Sequence, residues 1–249
     1  MELDYKIIIY IFFGILPSLT WLFYYLRKDI NPEPKRVIIR LFIWGAIITL
    51  PVFLVQVGLA TLLKNLELSP IITSLFYWFI VIALTEEIFK YLVVRIKMIG
   101  SHHLDEPVDI MIYMVVVALG FAALENILYL FFPAGQMSFD QIMGRTIFIT
   151  LMRFIGATFL HTLCSAVIGY SMALSFFHIE KKRLTVATGI LMATLLHGIF
   201  NFSIMQLDGY LKIVVPVAVI LALAYTIFSA FEKLKTKKGI CKIPKLNPN

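Results

Sequence analysis

The length, composition and charge of this sequence exclude a soluble globular protein. Of its 249 residues, 60% are hydrophobic and only 15% are charged, whereas charged residues make up about 25% of an average soluble domain. The mean hydropathy of +0.90 instead indicates an integral membrane protein. A net charge of +7 is then explained by basic loops and a basic tail beside the headgroups of a lipid bilayer, so no nucleic-acid partner is expected.

Seven apolar runs are each long enough to cross a bilayer as an α-helix, which takes about 20 residues. Helices are required because lipid cannot hydrogen-bond a bare backbone, and the sequence lacks the alternating strands of a membrane barrel. We therefore predict an all-α, polytopic membrane protein with one transmembrane helical domain over residues 1–249. The predicted spans are about 5–26, 37–63, 71–94, 108–132, 154–177, 184–206 and 211–231, before a basic cytoplasmic tail at 232–249.

The segment Ser138–Thr150 before the fifth span has mixed polarity, with Asp140, Gln141 and Arg145. Such a pattern is typical of a helix in the membrane interface or of a re-entrant piece. The bundle therefore has seven helices, or eight if this segment enters the membrane.

The basic residues set the predicted orientation, because cytoplasmic loops retain lysine and arginine. Fifteen of the 22 lysines and arginines fall on one side of the predicted spans, four fall on the other side, and Arg40, Lys90 and Arg153 fall inside spans. This distribution predicts that the N-terminus is outside and the C-terminus inside.

Polar and charged side chains inside the spans are the candidate functional residues. A charge at the bilayer centre costs about 2.5–3.5 kcal/mol on insertion scales, so such residues normally face a wet interior and mark function. The residues are Glu86, Glu87 and Lys90 in the third span, Glu125 and Asn126 in the fourth, Arg153 and His161 in the fifth, and His197 and Asn201 in the sixth.

Helical spacing predicts which of these residues share a face. Residues four apart are neighbours on a helix, so Glu86 can pair with Lys90, and His197 points the same way as Asn201. Small residues on the inward face of the fifth span would let another helix approach closely. That face carries Arg153, Ala157, His161, Ser165, Gly169 and Ala173.

Simpler explanations exist for each set. A Glu–Lys pair can neutralise itself, a lone histidine or asparagine can join two helices, and Arg153 can extend to the membrane surface. These explanations require separate costly burials on four spans. The coincidence favours one shared site.

Such a set can hydrolyse a peptide bond without a covalent intermediate. A carboxylate in a low-dielectric cavity can take a proton from water and return it to a leaving amine. Histidines and an asparagine can stabilise the oxyanion. The adjacent Glu86 and Glu87 leave open which of the two is the base, while the other, with Lys90, orients it.

At these residues the sequence resembles the PrsW glutamic-type intramembrane proteases, distant relatives of the CAAX prenyl endopeptidases. The order and spacing of several short motifs carry the resemblance, from about residue 29 to 202. They are DINPEPKR (Asp29–Arg36), TEEIFK (E-E-x-x-K), GFAALEN (F-x-x-x-E-N), Arg153 followed by His161, and HGIFN. Asn201 stands where the PrsW proteases often carry aspartate. Glu125 stands where the prenyl endopeptidases carry the histidine of F-x-x-x-H.

The resemblance implies a plasma-membrane protease that cuts membrane-tethered or single-span proteins, such as anti-sigma factors, and that needs no cofactor. It assigns water activation to Glu86 and the oxyanion to His197 and Asn201. We expect the catalytic residues Glu86, Glu87, Glu125, His161, His197 and Asn201, supported by Lys90, Asn126 and Arg153.

Two other classes remain open. Glutamates and histidines are also zinc ligands, so a metal-dependent membrane enzyme is one alternative, although no HExxH motif is present. A proton-coupled transporter is the other, because carboxylates and histidines on several spans form proton relays. The sequence lacks the internal repeat expected of many transporters.

Depth is the one conflict among these expectations. At about 1.5 Å per residue, Glu125 and His161 lie about 10 Å from the outer ends of their spans, but Glu86 lies about 22 Å deep. A shared site therefore requires the third span to start deeper, to tilt or to depart from regular α-helix.

Overall fold

The computed structural model describes residues 2–27, 31–132, 137–177 and 179–235. Within these ranges all regular structure is helical and no strand is present. Asp29 and the tail from residue 236 onward lie outside the described residues. The α-helices are α1 (Glu2–Leu26), α2 (Lys35–Lys64), α3 (Pro70–Phe76), α4 (Thr85–Met98), α5 (Pro107–Phe131), α6 (Phe139–Ile155), α7 (Ala157–Ser175), α8 (Lys182–Gln206) and α9 (Leu211–Lys235).

Seven helical segments among the described residues are long and apolar enough to cross a membrane, which confirms the predicted fold class. Their order along the chain matches the predicted order. The fifth differs in length, because it runs from Phe139 to Ser175 and includes the segment of mixed polarity. The segments are Tyr5–Leu26, Lys35–Lys64, Pro70–Met98, Pro107–Phe131, Phe139–Ser175, Lys182–Gln206 and Leu211–Leu234.

The mixed segment is the helix α6, which joins α7 with only Gly156 between them. A capping box starts it, since the Ser138 hydroxyl accepts from the Gln141 backbone N–H and the Gln141 side chain accepts from the Ser138 backbone. The positive charge of Arg145 in this helix has a structural role. Arg145 donates to the backbone oxygens of Tyr129, Leu130 and Phe132, which satisfies the C-terminal carbonyls of α5.

The central element is α5, since 19 of its 25 residues are buried. Glycines allow its neighbours to approach at backbone distance. A Cβ atom on Gly45 of α2 would lie 2.1 Å from the Val117 carbonyl oxygen, and one on Gly120 would lie 1.9 Å from the Phe42 carbonyl oxygen. The α2–α5 crossing is therefore fixed by backbone contact.

The third span is not a regular α-helix. Residues Tyr77–Leu84, between α3 and α4, form a π-helix. Its hydrogen bonds join residues five apart, so it holds more residues per turn than an α-helix and advances less per residue. The distance along the third span from its start to Glu86 is therefore shorter than the one obtained with the α-helical rise of about 1.5 Å per residue.

Candidate active site

Three charged residues at the start of α4 form the centre of a buried cluster. Glu86 is 4% exposed, and Glu87 and Lys90 are 0% exposed. The Lys90 ammonium donates to Glu87 Oε1 at 2.8 Å and lies 3.6 Å from Glu86 Oε2. The predicted pairing within TEEIFK is therefore present, and Lys90 contacts both carboxylates.

The two predicted histidines enter this cluster from α7 and α8. Nδ1 of His161 lies 2.9 Å from Lys90 Nζ, and its Nε2 lies 2.8 Å from Glu125 Oε2. An ionised carboxylate only accepts, so Nε2 of His161 donates and Nδ1 accepts from the ammonium. By the same argument Nδ1 of His197 donates to Glu87 Oε1 at 3.0 Å. Each imidazole is thus oriented by a carboxylate.

Glu86 is the one carboxylate of the cluster that has a fully buried oxygen without a hydrogen-bond partner among the described residues. Its Oε1 accepts from the Gln56 amide at 3.2 Å. Its Oε2 is buried and has no hydrogen-bond partner among the described residues. Around that oxygen lie His161 Nδ1 at 3.8 Å and His197 Nε2 at 3.9 Å. Buried polar atoms are nearly always satisfied, and this oxygen is the one charged exception beside three buried hydroxyls, those of Ser18, Thr146 and Thr194, in the described residues.

Glu125 and Arg153 extend the cluster beyond His161. The Arg153 guanidinium donates to Glu125 Oε2 at 2.6 Å and to Asn126 Oδ1, and it lies 4.0 Å from the centre of the Tyr129 ring. The simpler explanation that Arg153 extends to the membrane surface does not account for these contacts, because its side chain is only 12% exposed and is bound to Glu125. The attraction of a partly buried carboxylate outweighs the hydration available at the surface.

Asn126 has a structural task in the same region. Its amide donates to the Gly14 carbonyl of α1 at 3.2 Å and to the Thr158 hydroxyl of α7 at 3.1 Å. It therefore holds three helices together while its oxygen accepts from Arg153.

Asn201 is the predicted site residue that the structure does not bond to the cluster. It is partly buried, four residues after His197 on α8, and its side chain makes no hydrogen bond to any residue that the structure describes. The helical spacing still puts it on the His197 face, one turn away.

Two further contacts of the glutamates were not predicted. Gln56 of α2 binds Glu86, and the Ser165 hydroxyl of α7 donates to Glu87 Oε2 at 3.2 Å. Gln56 is the only amide side chain in the apolar run 37–63. An isolated amide in such a run was the feature of the sequence that could have indicated a contact with the site. Ser165 lies on the predicted inward face of α7, one turn after His161.

Comparison with known proteins adds the family. Residues 33–228 match a family described as "PrsW family intramembrane metalloprotease". The chain belongs to this family. Similar proteins named "Protease PrsW" include those of Oceanobacillus iheyensis, 30% identical over 84% of this chain and 88% of the relative, and Geobacillus kaustophilus, 26% identical over 92% of each. A third, from Bacillus subtilis, is 27% identical over 84% of this chain and 88% of the relative. No solved structure matches.

Family membership confirms the resemblance drawn from the motifs. The protein is an intramembrane protease, hence a peptide hydrolase, and its seven apolar helices make it a multi-pass membrane protein. The buried glutamates and histidines lie within the matched region.

The family description implies a metal ion, and the donors around Glu86 fit one in kind and spacing. Glu86, His161 and His197 each offer one ligand atom, and these atoms lie within 4.8 Å of one another. Both histidines are held by carboxylates through their other nitrogen, as zinc-binding histidines usually are. Lys90 opposes the fit, because its ammonium is already hydrogen-bonded to Nδ1 of His161. When bound, a zinc ion in such a site supplies an activated water.

Proposed function

We propose that this protein is a glutamic-type endopeptidase of the plasma membrane. Its substrates are membrane-tethered or single-span proteins, with anti-sigma factors as the class that the family resemblance suggests. The observation that carries the proposal is the Oε2 atom of Glu86, a buried carboxylate oxygen that has the Lys90 ammonium at 3.6 Å but no hydrogen-bond partner among the described residues. A carboxylate in that state is available to bind and deprotonate a water molecule.

In the proposed reaction Glu86 Oε2 takes a proton from water while the water oxygen attacks the scissile carbonyl carbon. The π electrons of the carbonyl bond move onto the carbonyl oxygen, which gives a tetrahedral intermediate with a negatively charged oxygen. Collapse of that intermediate breaks the C–N bond, and the proton held on Glu86 passes to the departing amine. The carboxylate is regenerated, so neither an oxidant nor a covalent enzyme intermediate is required.

His197 and Asn201 are the proposed oxyanion donors. Nε2 of His197 is the ring nitrogen on the Glu86 side, because Nδ1 is engaged by Glu87. With a proton on each ring nitrogen, Nε2 donates to the oxyanion while Nδ1 donates to Glu87. The Asn201 amide, one turn along α8 and free of other side-chain hydrogen bonds to described residues, supplies the second donor.

The remaining charges orient the base. Lys90 contacts Glu86, Glu87 and His161, while Arg153 and His161 hold Glu125. Three carboxylates thereby share two permanent cations, and each carboxylate contacts at least one of them, in a low-dielectric interior where unpaired charges are costly. A rigid arrangement of this kind limits reorganisation during the reaction.

A zinc-dependent reaction is the second candidate, supported by the spacing of Glu86, His161 and His197. We favour the metal-free reaction because the Lys90 ammonium already binds the His161 nitrogen that would serve as a ligand. Elemental analysis of purified active protein separates the two. We expect less than 0.1 zinc per chain, on the order of a contaminant level, and activity that resists 1,10-phenanthroline. Stoichiometric zinc that is lost together with activity would establish the second candidate.

The proteolytic proposal is tested by comparing the N-termini of membrane proteins in cells that make equal amounts of the wild type or Glu86→Gln. Mass spectrometry should find new termini in single-span proteins with the wild type only. Glu180→Gln, a change at an exposed carboxylate outside the site, is the matched control and should give the wild-type pattern. Identical patterns for wild type and Glu86→Gln under several stress conditions would refute the proposed role of Glu86.

A further inference from the structure

The helix α2 has two halves that pack very differently. Up to Val52, seven residues are buried at helical spacing, whereas from Phe53 to Lys64 only Leu63 is buried. Pro51 separates the halves, and a proline inside a helix removes one backbone hydrogen bond. The first half is fixed to α5 at Gly45. The second half, residues 53–64, is therefore held to the bundle by few contacts.

The helices that carry the other site residues are interlocked. A Cβ atom on Gly198, next to His197 on α8, would lie 2.4 Å from the Phe79 ring of the π-helix, and one on Gly169 of α7 would lie 2.7 Å from Met111 Cα. These elements cannot separate without losing close packing. The second half of α2 is therefore the element beside the site that can move away from the bundle with the smallest loss of packing.

Gln56 joins this half of α2 to the site. Its amide donates to Glu86 Oε1 at 3.2 Å and lies 3.4 Å from the Thr85 hydroxyl. Four residues later on the same face, Ala60 lines a cavity of about 410 Å³. The cavity lies between the end of α2, the Tyr77–Trp78 end of the π-helix and Gln206 of α8. Apolar and aromatic side chains contribute most of its exposed lining surface, and the polar part of the lining comes from Lys64, Glu67, Thr73, Ser74 and Gln206.

The distances from cavity to site fit an extended polypeptide. Ala60 is about 6 Å along α2 from Gln56, and Gln206 is about 13 Å along α8 from His197. An extended chain advances about 3.3 Å per residue, so this interval corresponds to two to four residues. A volume of about 410 Å³ lies within the about 300–1,000 Å³ usual for binding sites.

We propose that this cavity binds apolar side chains of the substrate two to four residues from the scissile bond, and that the substrate enters between the second half of α2 and the π-helix. Gln56 lies at the junction of cavity and site, and its amide can donate to and accept from an extended backbone. This inference rests on the proposed function for the identity of its ligand. No cofactor or added group is needed.

Binding is tested without catalysis. Benzophenone-phenylalanine is placed at Ala60 or, as the matched control, at Gly58, where an added Cβ meets only open space. Both proteins also carry Glu86→Gln and are reconstituted in liposomes with a biotinylated synthetic single-span peptide. We expect cross-linking from position 60 at least about tenfold above position 58, since only the former lines the cavity. Equal cross-linking from both positions, or none from position 60, would overturn the proposed binding site.

Specificity is tested with Ala60→Phe and Gly58→Phe in the active protein. The substrates are single-span peptides with randomised residues beside the apolar segment, and cut sites are read by mass spectrometry. Ala60→Phe should reduce cleavage of peptides with large residues two to four positions from the cut by about tenfold or more, since overfilling a packed site is costly. Gly58→Phe should retain the wild-type profile. The inference is wrong if Ala60→Phe leaves the profile unchanged or both variants shift it equally.

The two assays separate the failure of each proposal. If the wild type cuts no peptide, the proposed function fails and the cross-linking result alone decides the binding site. If the wild type cuts peptides and the Ala60→Phe profile matches that of Gly58→Phe, the protease stands and the cavity assignment falls.

Discussion

Replacing Lys90 by methionine should be among the most damaging single changes in this protein. The ammonium is fully buried, lies 2.8 Å from Glu87 and 3.6 Å from Glu86, and donates to His161. Methionine keeps most of the side-chain volume but leaves the carboxylates without their cation. Removal of one partner from a buried ion pair costs about 3–5 kcal/mol. We therefore expect Lys90→Met to lower the free energy of unfolding by about that amount.

Denaturant titration in mixed micelles, followed by tryptophan fluorescence, measures this loss. Lys97→Met is the matched control on the same helix, because Lys97 is exposed and its ammonium lies over the Trp44 ring, outside the site. It should change stability by no more than about 1 kcal/mol. The double variant Lys90→Met/Glu87→Gln should regain part of the loss, since one uncompensated charge is gone. A Lys90→Met protein as stable as the wild type would refute the charge balance argued for the site.

Three other substitutions test the outer part of the cluster and the packing of α2. Arg153→Lys keeps the charge but cannot donate to Glu125 and Asn126 with one rigid planar group, so the cleavage rate should fall by about tenfold or more; full activity would show that charge alone suffices. Gly45→Ala places a methyl group against a backbone carbonyl and should cost about 1–3 kcal/mol in the same titration, while Gly58→Ala should be neutral or stabilise α2 by up to about 1 kcal/mol. Similar values for the two glycines would contradict the proposed difference between the halves of α2.

The fold class followed directly from the sequence, because lipid accepts only helices that satisfy their own backbone and because seven apolar runs met the required length. The fifth span was harder to delimit. Arg145 and Gln141 made Ser138–Thr150 look interfacial, but their polar groups are used to cap α5 and to start α6. The local sequence shows that a residue is polar but does not show which backbone group it will hydrogen-bond.

The site residues with formal charge were predictable for a related reason. Burial of Glu86, Glu87 and Lys90 in an apolar span is too costly to be incidental, and helical spacing placed them on one face. The contact of Gln56 with Glu86 depends on how α2 crosses the π-helix, which no local pattern encodes. The inward position of Arg153 depends likewise on the approach of α5 and α7.

The π-helix has a consequence for the way this site can change through insertion and deletion. A π-helical turn differs from an α-helical turn by one additional residue. Loss of a single apolar residue such as Ile80 can be absorbed by regular α-helix through Tyr77–Leu84 with little rotation of the following helix, whereas regular α-helix with all eight residues kept would rotate it by about 100° relative to α3. Glu86 and Glu87 would then turn away from His161 and His197, although every charged residue would still be present. The register of an entirely apolar stretch therefore acts as a switch between a chain that can carry out chemistry and one that is only a helical bundle.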